Sequence, residues 1–187
     1  IQTTNIVSRL PGMQDLTEET LRQKQGLQER LSRLLGGYGY RQLETPLLEP
    51  TELFMRKSGG ELASQLYSFT DAGSNSVSLR PEFTSPIMRH YLENKSAIDL
   101  PARWQYSGPV FRFDNSRPEA SGQFTQVGGE LIGSSEISAD VELLNLAVAV
   151  PTELGLEGWT LRLADLDILN SLLDSVGISD RARSFII

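Results

Sequence analysis

The stretch FRFDNSRPEASGQFTQVGGELIG, Phe111 to Gly133, decides how this chain folds. Its two ends read as strands, and the polar run between them, with Ser, Pro, Glu and Gly, reads as a loop. Side chains alternate along a strand. Gly108, Val110 and Arg112 therefore share one face of the outgoing strand, and Gln126, Gly128 and Glu130 share one face of the returning strand. If those faces coincide, a guanidinium, a carboxamide and a carboxylate meet over two glycines. Glycine leaves room above a sheet for a ligand to lie close to the backbone. Arginine can grip a phosphate or carboxylate with two parallel hydrogen bonds, and a glutamate suits an ammonium group. The competing structural reading makes Arg112 and Glu130 a cross-strand ion pair and the glycines bulges.

The segments around the hairpin set the class of fold. ARWQYSGPVFRFD, from Ala102, completes the first strand. Upstream, QLYSFTDAGSNSVSLRPEFT is a second hairpin: Leu66, Tyr67 and Phe69 lead to a turn at Asp71 to Asn75, and Val77 and Leu79 return. Leu21, Leu27, Leu31, Leu34 and Leu35 form a helical stripe, with Asp15 and Glu18 as a capping pair and Gly36-Gly37 as the stop. Tyr40 to Leu43 reads as a strand broken by Pro46, and EPTELFMRKSG as a short helix capped by Thr51. A helix from Ser85 to Asn94 opens with Pro86 in its first turn. A longer helix starts near Ser138, with Asp140 and Glu142 where acids suit the helix dipole, and Pro151 should kink or end it. WTLRLADLDILNSLLDSV reads as a strand, Trp159 to Leu163, passing into a helix. Strands gathered in hairpins, with helices between the pairs, predict an α+β fold with an antiparallel sheet. A single domain over residues 1–187 is expected, with Trp104 and Trp159 in its core.

Composition narrows the chemistry. The chain has no cysteine, which removes disulfides, thiolate nucleophiles and cysteine metal sites. Its one histidine, His90, follows Arg89 on a helix and reads as structural, so neither a multi-histidine metal site nor Ser-His catalysis is expected. Asp165 and Asp167 read as solvated carboxylates, and no metal site is predicted. A net charge of −7 argues against a broad nucleic-acid-binding face. No apolar run approaches the ~20 residues that span a bilayer, and the start at Ile1 carries no secretory pattern, so a cytoplasmic protein is expected. The chain ends on RARSFII, which reads as mid-helix, and truncation at the C-terminus is expected.

A second element bears on the hairpin. SLRPEFTSPIMRH places Glu82 and Thr84 between a strand and a helix, where both could reach one pocket or simply start the helix. Taken together and in order, LPGMQDLTEE, GYGYRQLETPLLEP, LRPEFT and GPVFRFD…QFTQVGGELIG resemble the catalytic core of class II aminoacyl-tRNA synthetases, specifically the histidyl-tRNA synthetase family, from about Leu10 to Gly177. The resemblance implies a homodimer, with Pro46 at its interface. It also implies that Arg112, with Asp114 beside it, meets the α-phosphate of ATP, and that Glu82, Thr84, Gln126 and Glu130 line the histidine pocket. A fixed cation at the α-phosphate would stabilise the transition state of adenylate formation, and the pocket would position the attacking carboxylate.

The loop departs from the family pattern. Where the enzymes usually carry Glu-Arg-Pro-Gln-x-Gly-Arg-x-Arg-Gln-Phe, this chain has DNSRPEASGQF: the glutamate is Asp114 and the two later arginines are Ala120 and Gly122. Arg117 is out of register. Each lost arginine–phosphate contact should cost about 1.5–3 kcal/mol. The third class motif and the family's later histidine-recognition segment are not found in the 187 residues. The family also has a branch that is not a synthetase, the regulatory subunit of ATP phosphoribosyltransferase in histidine biosynthesis, to which RPEFTSPIMR is more similar. The leading expectation is this regulator, which needs no cofactor and assembles with a catalytic transferase. The alternative is an active ligase using ATP, magnesium and tRNA.

Overall fold

The structure is a computed structural model and describes residues 7–55, 64–114 and 122–178. The chain splits into two compact units, Ile1–Gly155 and Leu156–Ile187.

In the first unit, helix α1 (Glu18–Gly37) is capped by Thr17, whose hydroxyl accepts from the Thr20 amide at 3.4 Å. The cap is therefore two residues later than the predicted Asp15; Asp15 instead pairs with Arg9 at 3.5 Å. Strand β1 (Arg41–Gln42) follows, then β2 (Leu48–Pro50) and the short helix α2 (Thr51–Met55). Thr51 is the first helical residue, and its hydroxyl bonds the Ser78 hydroxyl at 2.9 Å rather than capping the helix. Residues 56–59 of the predicted short-helix segment lie outside the described residues. Strands β3 (Ser68–Thr70) and β4 (Ser76–Leu79) form the predicted hairpin, with β2 on the other side of β4. Its turn is closed by the Asp71 carboxylate, which accepts from the amides of Gly73 and Asn75 at 2.8 Å each. The Asn75 side-chain amide, which also donates to this carboxylate, and then those backbone bonds hold the carboxyl below its usual range.

The principal sheet has the order β1-β5-β6, where β5 is Ala102–Phe111 and β6 is Gln123–Ile132. β5 and β6 pair antiparallel over their full lengths, with Gly108 opposite Gln126 and Trp104 opposite Glu130. β1 joins β5 in parallel, so the sheet is mixed rather than wholly antiparallel. Crossing from β1 back to β5 is possible because the intervening chain is long enough to hold the second sheet and helix α3 (Thr84–Asn94).

The two faces of β5 and β6 are covered differently. Even-numbered β5 residues Trp104, Tyr106 and Val110 pack with Phe83 and Ile87 around α3. His90 on α3 meets Trp104 edge-on at 5.5 Å, a packing role as predicted. The opposite face, with Val127 and Leu131, packs on Leu35 of α1, on Tyr40 just after that helix and on Leu146 of helix α4 (Ile137–Glu153). α4 carries Pro151 inside it and ends two residues later.

The second unit holds helix α5 (Leu166–Ser175), capped by Asp165, whose carboxylate accepts from the Asp167 amide at 2.8 Å. The predicted strand from Trp159 to Leu163 is absent: a strand needs a neighbour to bond, and none of the described residues pairs with this stretch. Trp159 is 40% exposed and not a core residue, whereas Trp104 is 7% exposed and buried as predicted. Among the described residues no helix is long and apolar enough to cross a membrane, and no cluster of three potential metal ligands occurs.

Candidate functional site

The site is built where the turn Pro81–Phe83 meets the even-numbered face of the hairpin. Directly opposed strand residues point to the same side, so the register places Gln126, Gly128 and Glu130 on the face of Tyr106 and Gly108. The faces inferred from alternation therefore coincide. The Thr84 hydroxyl donates to a Glu130 carboxylate oxygen at 2.7 Å, bringing the start of α3 onto β6. Glu82 accepts from the Ser85 amide at 3.1 Å with both oxygens, which satisfies a first-turn donor of α3. Glu82 thus serves as a helix-start residue and, at the same time, sits close enough to act electrostatically on Glu130.

Burial pushes the Glu130 carboxyl up, and the nearby Glu82 charge adds to the rise; the Thr84 and Tyr106 hydroxyls oppose it. Gln126 keeps a buried carboxamide oxygen without a hydrogen-bond partner. A buried carboxyl with no cation paired to it among the described residues, beside a second carboxylate and an unused carbonyl-type acceptor, is suited to a cationic donor such as an ammonium or imidazolium group.

Arg112 departs from the predicted arrangement. It lies one residue past β5, its Nε donates to the Pro81 carbonyl at 2.9 Å, and its guanidinium carbon is 5.2 Å from the centre of the Phe124 ring. It is not ion-paired with Glu130, so the cross-strand ion pair of the structural reading does not form. Val110 and Phe124, which oppose one another, occupy the strand positions between Arg112 and Gln126. Asp114 is half-buried beyond the strand end. Arg117 and Ala120 lie outside the described residues, whereas Gly122 is described. Its amide donates to the Gly12 carbonyl at 2.8 Å, and a Cβ at this position would stand 2.6 Å from the Tyr67 hydroxyl.

The glycines also act differently from expectation. They do not hold ligand space open. A Cβ on Gly108 would meet the Arg80 guanidinium at 2.7 Å and Phe83 at 3.1 Å, and one on Gly128 would overlap the Tyr106 hydroxyl, with the adjoining ring carbon at 2.6 Å. The chain's own side chains fill that room. Pro46 is exposed in the link from β1 to β2, between Thr45 and Leu47, whose carbonyls both accept hydrogen bonds from Arg80. A cavity of about 740 Å³ is bordered by Gln28, Ser32, Gln42, Phe83, Tyr106 and Ser107. None of Glu82, Thr84, Gln126 or Glu130 lines it.

Two residues escaped the sequence reading. Arg80 is 3% exposed, donates to the carbonyls of Thr45 at 2.6 Å and Pro109 at 3.0 Å, and lies 3.8 Å from the centre of the Phe83 ring. Tyr106 stacks on Phe83 at 4.4 Å and 12°. Extending the alternation one step back from Gly108 would have put Tyr106 on the site face. Nothing in LRPEFT distinguishes a buried structural arginine from a ligand-binding one.

This sheet, its flanking helices and its hairpin site define a class II aminoacyl-tRNA synthetase-like core. A solved structure titled histidine–tRNA ligase subunit, from Alicyclobacillus acidocaldarius, superposes with a TM-score of 0.76 at 28% identity, covering 97% of this chain and 52% of that one. Another, titled an ATP phosphoribosyltransferase regulatory subunit/histidyl-tRNA synthetase, from Bacillus halodurans, gives 0.72 at 30% identity over 79% and 38%. A family model described as histidyl-tRNA synthetase matches residues 12–186, and the chain belongs to that family. A curated relative from Pyrococcus horikoshii, named histidine–tRNA ligase, is 33% identical over 94% of this chain and 41% of its own length. The chain thus spans about two fifths of that relative.

Proposed function

We propose that this protein binds histidine between Glu82, Thr84, Gln126 and Glu130 and works as a non-catalytic regulatory subunit of ATP phosphoribosyltransferase in the cytoplasm. In this reading Glu130 and Glu82 receive the ligand's cationic groups, and Gln126 supplies its unused acceptor. The carrying observation is Gly122. It stands where the family's enzymes have an arginine, and the place a side chain would start is occupied by the Tyr67 hydroxyl. The pocket for the amino acid is kept while the cationic loop for the nucleotide is not. Histidine binding would then bias the assembly with the catalytic transferase, and a homodimer through the Pro46 side would present two such pockets.

Calorimetric titration of the intact protein tests this. Histidine should give a saturable signal and ATP none, and histidine-dependent pyrophosphate exchange should be absent. Measurable exchange would overturn the regulatory reading. It would support the second reading, an active histidine–tRNA ligase using ATP and magnesium, which is favoured by the retained Arg112 and by the name of the Pyrococcus horikoshii relative.

A further inference from the structure

Strand β1 covers only part of the outer edge of β5. It pairs Arg41 and Gln42 with Trp104 and Gln105, and the Leu43 amide then donates to the Gln105 carbonyl at 2.9 Å. Beyond Ser107 that edge is taken up by one residue, Arg80. Its backbone carbonyl accepts from the Phe111 amide at 3.0 Å, and its Nε donates to the Pro109 carbonyl at 3.0 Å. On its other side, the Arg80 amide donates to the Leu47 carbonyl at 2.9 Å, and Nη1 donates to the Thr45 carbonyl at 2.6 Å. Main chain and side chain together bond alternate residues of two separate segments, as a strand between them would.

Burying a cation for this purpose is costly. The guanidinium is 3% exposed, and among the described residues it meets the neutral oxygens of Thr45 and Pro109 rather than a carboxylate. An apolar chain could fill the space. What the guanidinium adds is a rigid fork of donors that reaches two carbonyls on separate elements, groups that need a donor once they are buried. The bonds fix the turn that follows. The Pro81 carbonyl is held by Arg112 Nε at 2.9 Å. The Phe83 ring, 1% exposed, has the Arg80 guanidinium carbon 3.8 Å from its centre and stacks on Tyr106. Glu82 lies between these two anchors. Thr84 follows the second, and its hydroxyl donates to Glu130 at 2.7 Å.

We propose that Arg80 is a positioning residue for the amino-acid pocket: by bonding the Thr45–Leu47 link and β5 at once, it holds the turn that presents Glu82 and sets Thr84 against Glu130. The ligand part of this statement rests on the histidine reading above; the action on Thr84 does not. The test follows the Thr84 methyl resonance by NMR in the ligand-free intact protein, and histidine affinity by calorimetry at a temperature where each variant is folded. Arg80→Lys keeps the charge but loses the fork, and Arg80→Met keeps only a long chain. Leu146→Ala, on the opposite face of the sheet, controls for lost stability alone. Both Arg80 variants should move the Thr84 resonance and weaken histidine binding about tenfold. The control should lower the melting temperature and change neither. An unmoved Thr84 resonance, an unchanged affinity where the wild type binds, or an affinity loss that Leu146→Ala reproduces would overturn the positioning role. If one Arg80 variant fails to fold, the other decides; failure of both would assign Arg80 to the fold as a whole and overturn the role as well. A moved Thr84 resonance with no histidine signal in the wild type would uphold the action of Arg80 on the turn and sink only the histidine reading.

Discussion

Gly128 and Gly129 are neighbours on one strand, and each makes room for a tyrosine, yet the two faces they serve end in opposite electrostatic states. Beneath Gly129, the Tyr40 ring lies 3.0 Å from where a Cβ would be. Next to it Glu142 accepts two bonds from Arg103, each at 2.7 Å. That arginine holds the Glu142 carboxyl below its usual range. Above Gly128, Tyr106 stands beside Glu130, which has hydroxyl neighbours and a second carboxylate but no arginine paired to it among the described residues, and which is pushed up by burial. One face spends its charges on docking α4. The other buries a carboxyl that no cation among the described residues pairs, an arrangement that disfavours its charged form unless a cation arrives. The contrast separates scaffold from site without reference to any relative.

Removing the support of the upper tyrosine should have the largest effect on this contrast. Phe83→Ala deletes a fully buried ring that stacks on Tyr106, and should cost about 3–5 kcal/mol in chemical denaturation. The glycines come next. Gly128→Ala and Gly129→Ala should each destabilise by about 1–3 kcal/mol, with Gly128 the worse because the overlap there is with a pinned hydroxyl rather than a ring edge. Only Gly128→Ala should also alter histidine binding; equal effects of both on binding would erase the distinction between the faces.

Neutralising the two carboxylates should give opposite signs. Glu142→Gln loses the bidentate contact of a partly exposed pair and should destabilise by about 0.5–1 kcal/mol, less at high salt. Glu130→Gln should stabilise the ligand-free protein by about 0.5–1 kcal/mol and abolish the histidine binding proposed above. The pH dependence follows the same logic. Glu142 titrates lower in the folded than in the unfolded state, so its contribution is present above the unfolded carboxylate value and is lost as pH falls through the folded one. Glu130 titrates higher when folded, so the folded state binds the extra proton and stability drops as pH rises from the unfolded value through the folded one. Replacing Glu130 should remove that drop from the stability profile, and replacing Glu142 should remove the acid-side loss.

Much of the frame was legible before any coordinates. Both hairpins, the turn at Asp71, the helix opened by Pro86 and the late helix beginning near Ser138 follow from alternation, turn residues and helix-start signals that act within a few residues. The alternation also placed Gln126, Gly128 and Glu130 on one face. What it could not place was any feature set by a distant partner. Tyr40 to Leu43 reads as a strand, but its parallel pairing with β5 spans some sixty residues of intervening chain. Trp159 to Leu163 has the composition of a strand and no partner to make it one among the described residues. Arg112 looked like the counter-ion of Glu130, and the turn of Pro81 claimed its Nε instead.

The sequence by itself determined the local grammar of this protein: where strands and helices form, which side chains alternate onto the face of the site, and which cationic residues its loop lacks. Those properties depend on backbone preference and on neighbours a few positions away. Only the tertiary structure decided what fills the space over Gly108 and Gly128, whom Arg80 and Arg112 bond, and why, among the described residues, Glu130 stands without a cation while Glu142 has one. Each of those outcomes depends on long-range packing, which brings together groups that no spacing along the chain relates.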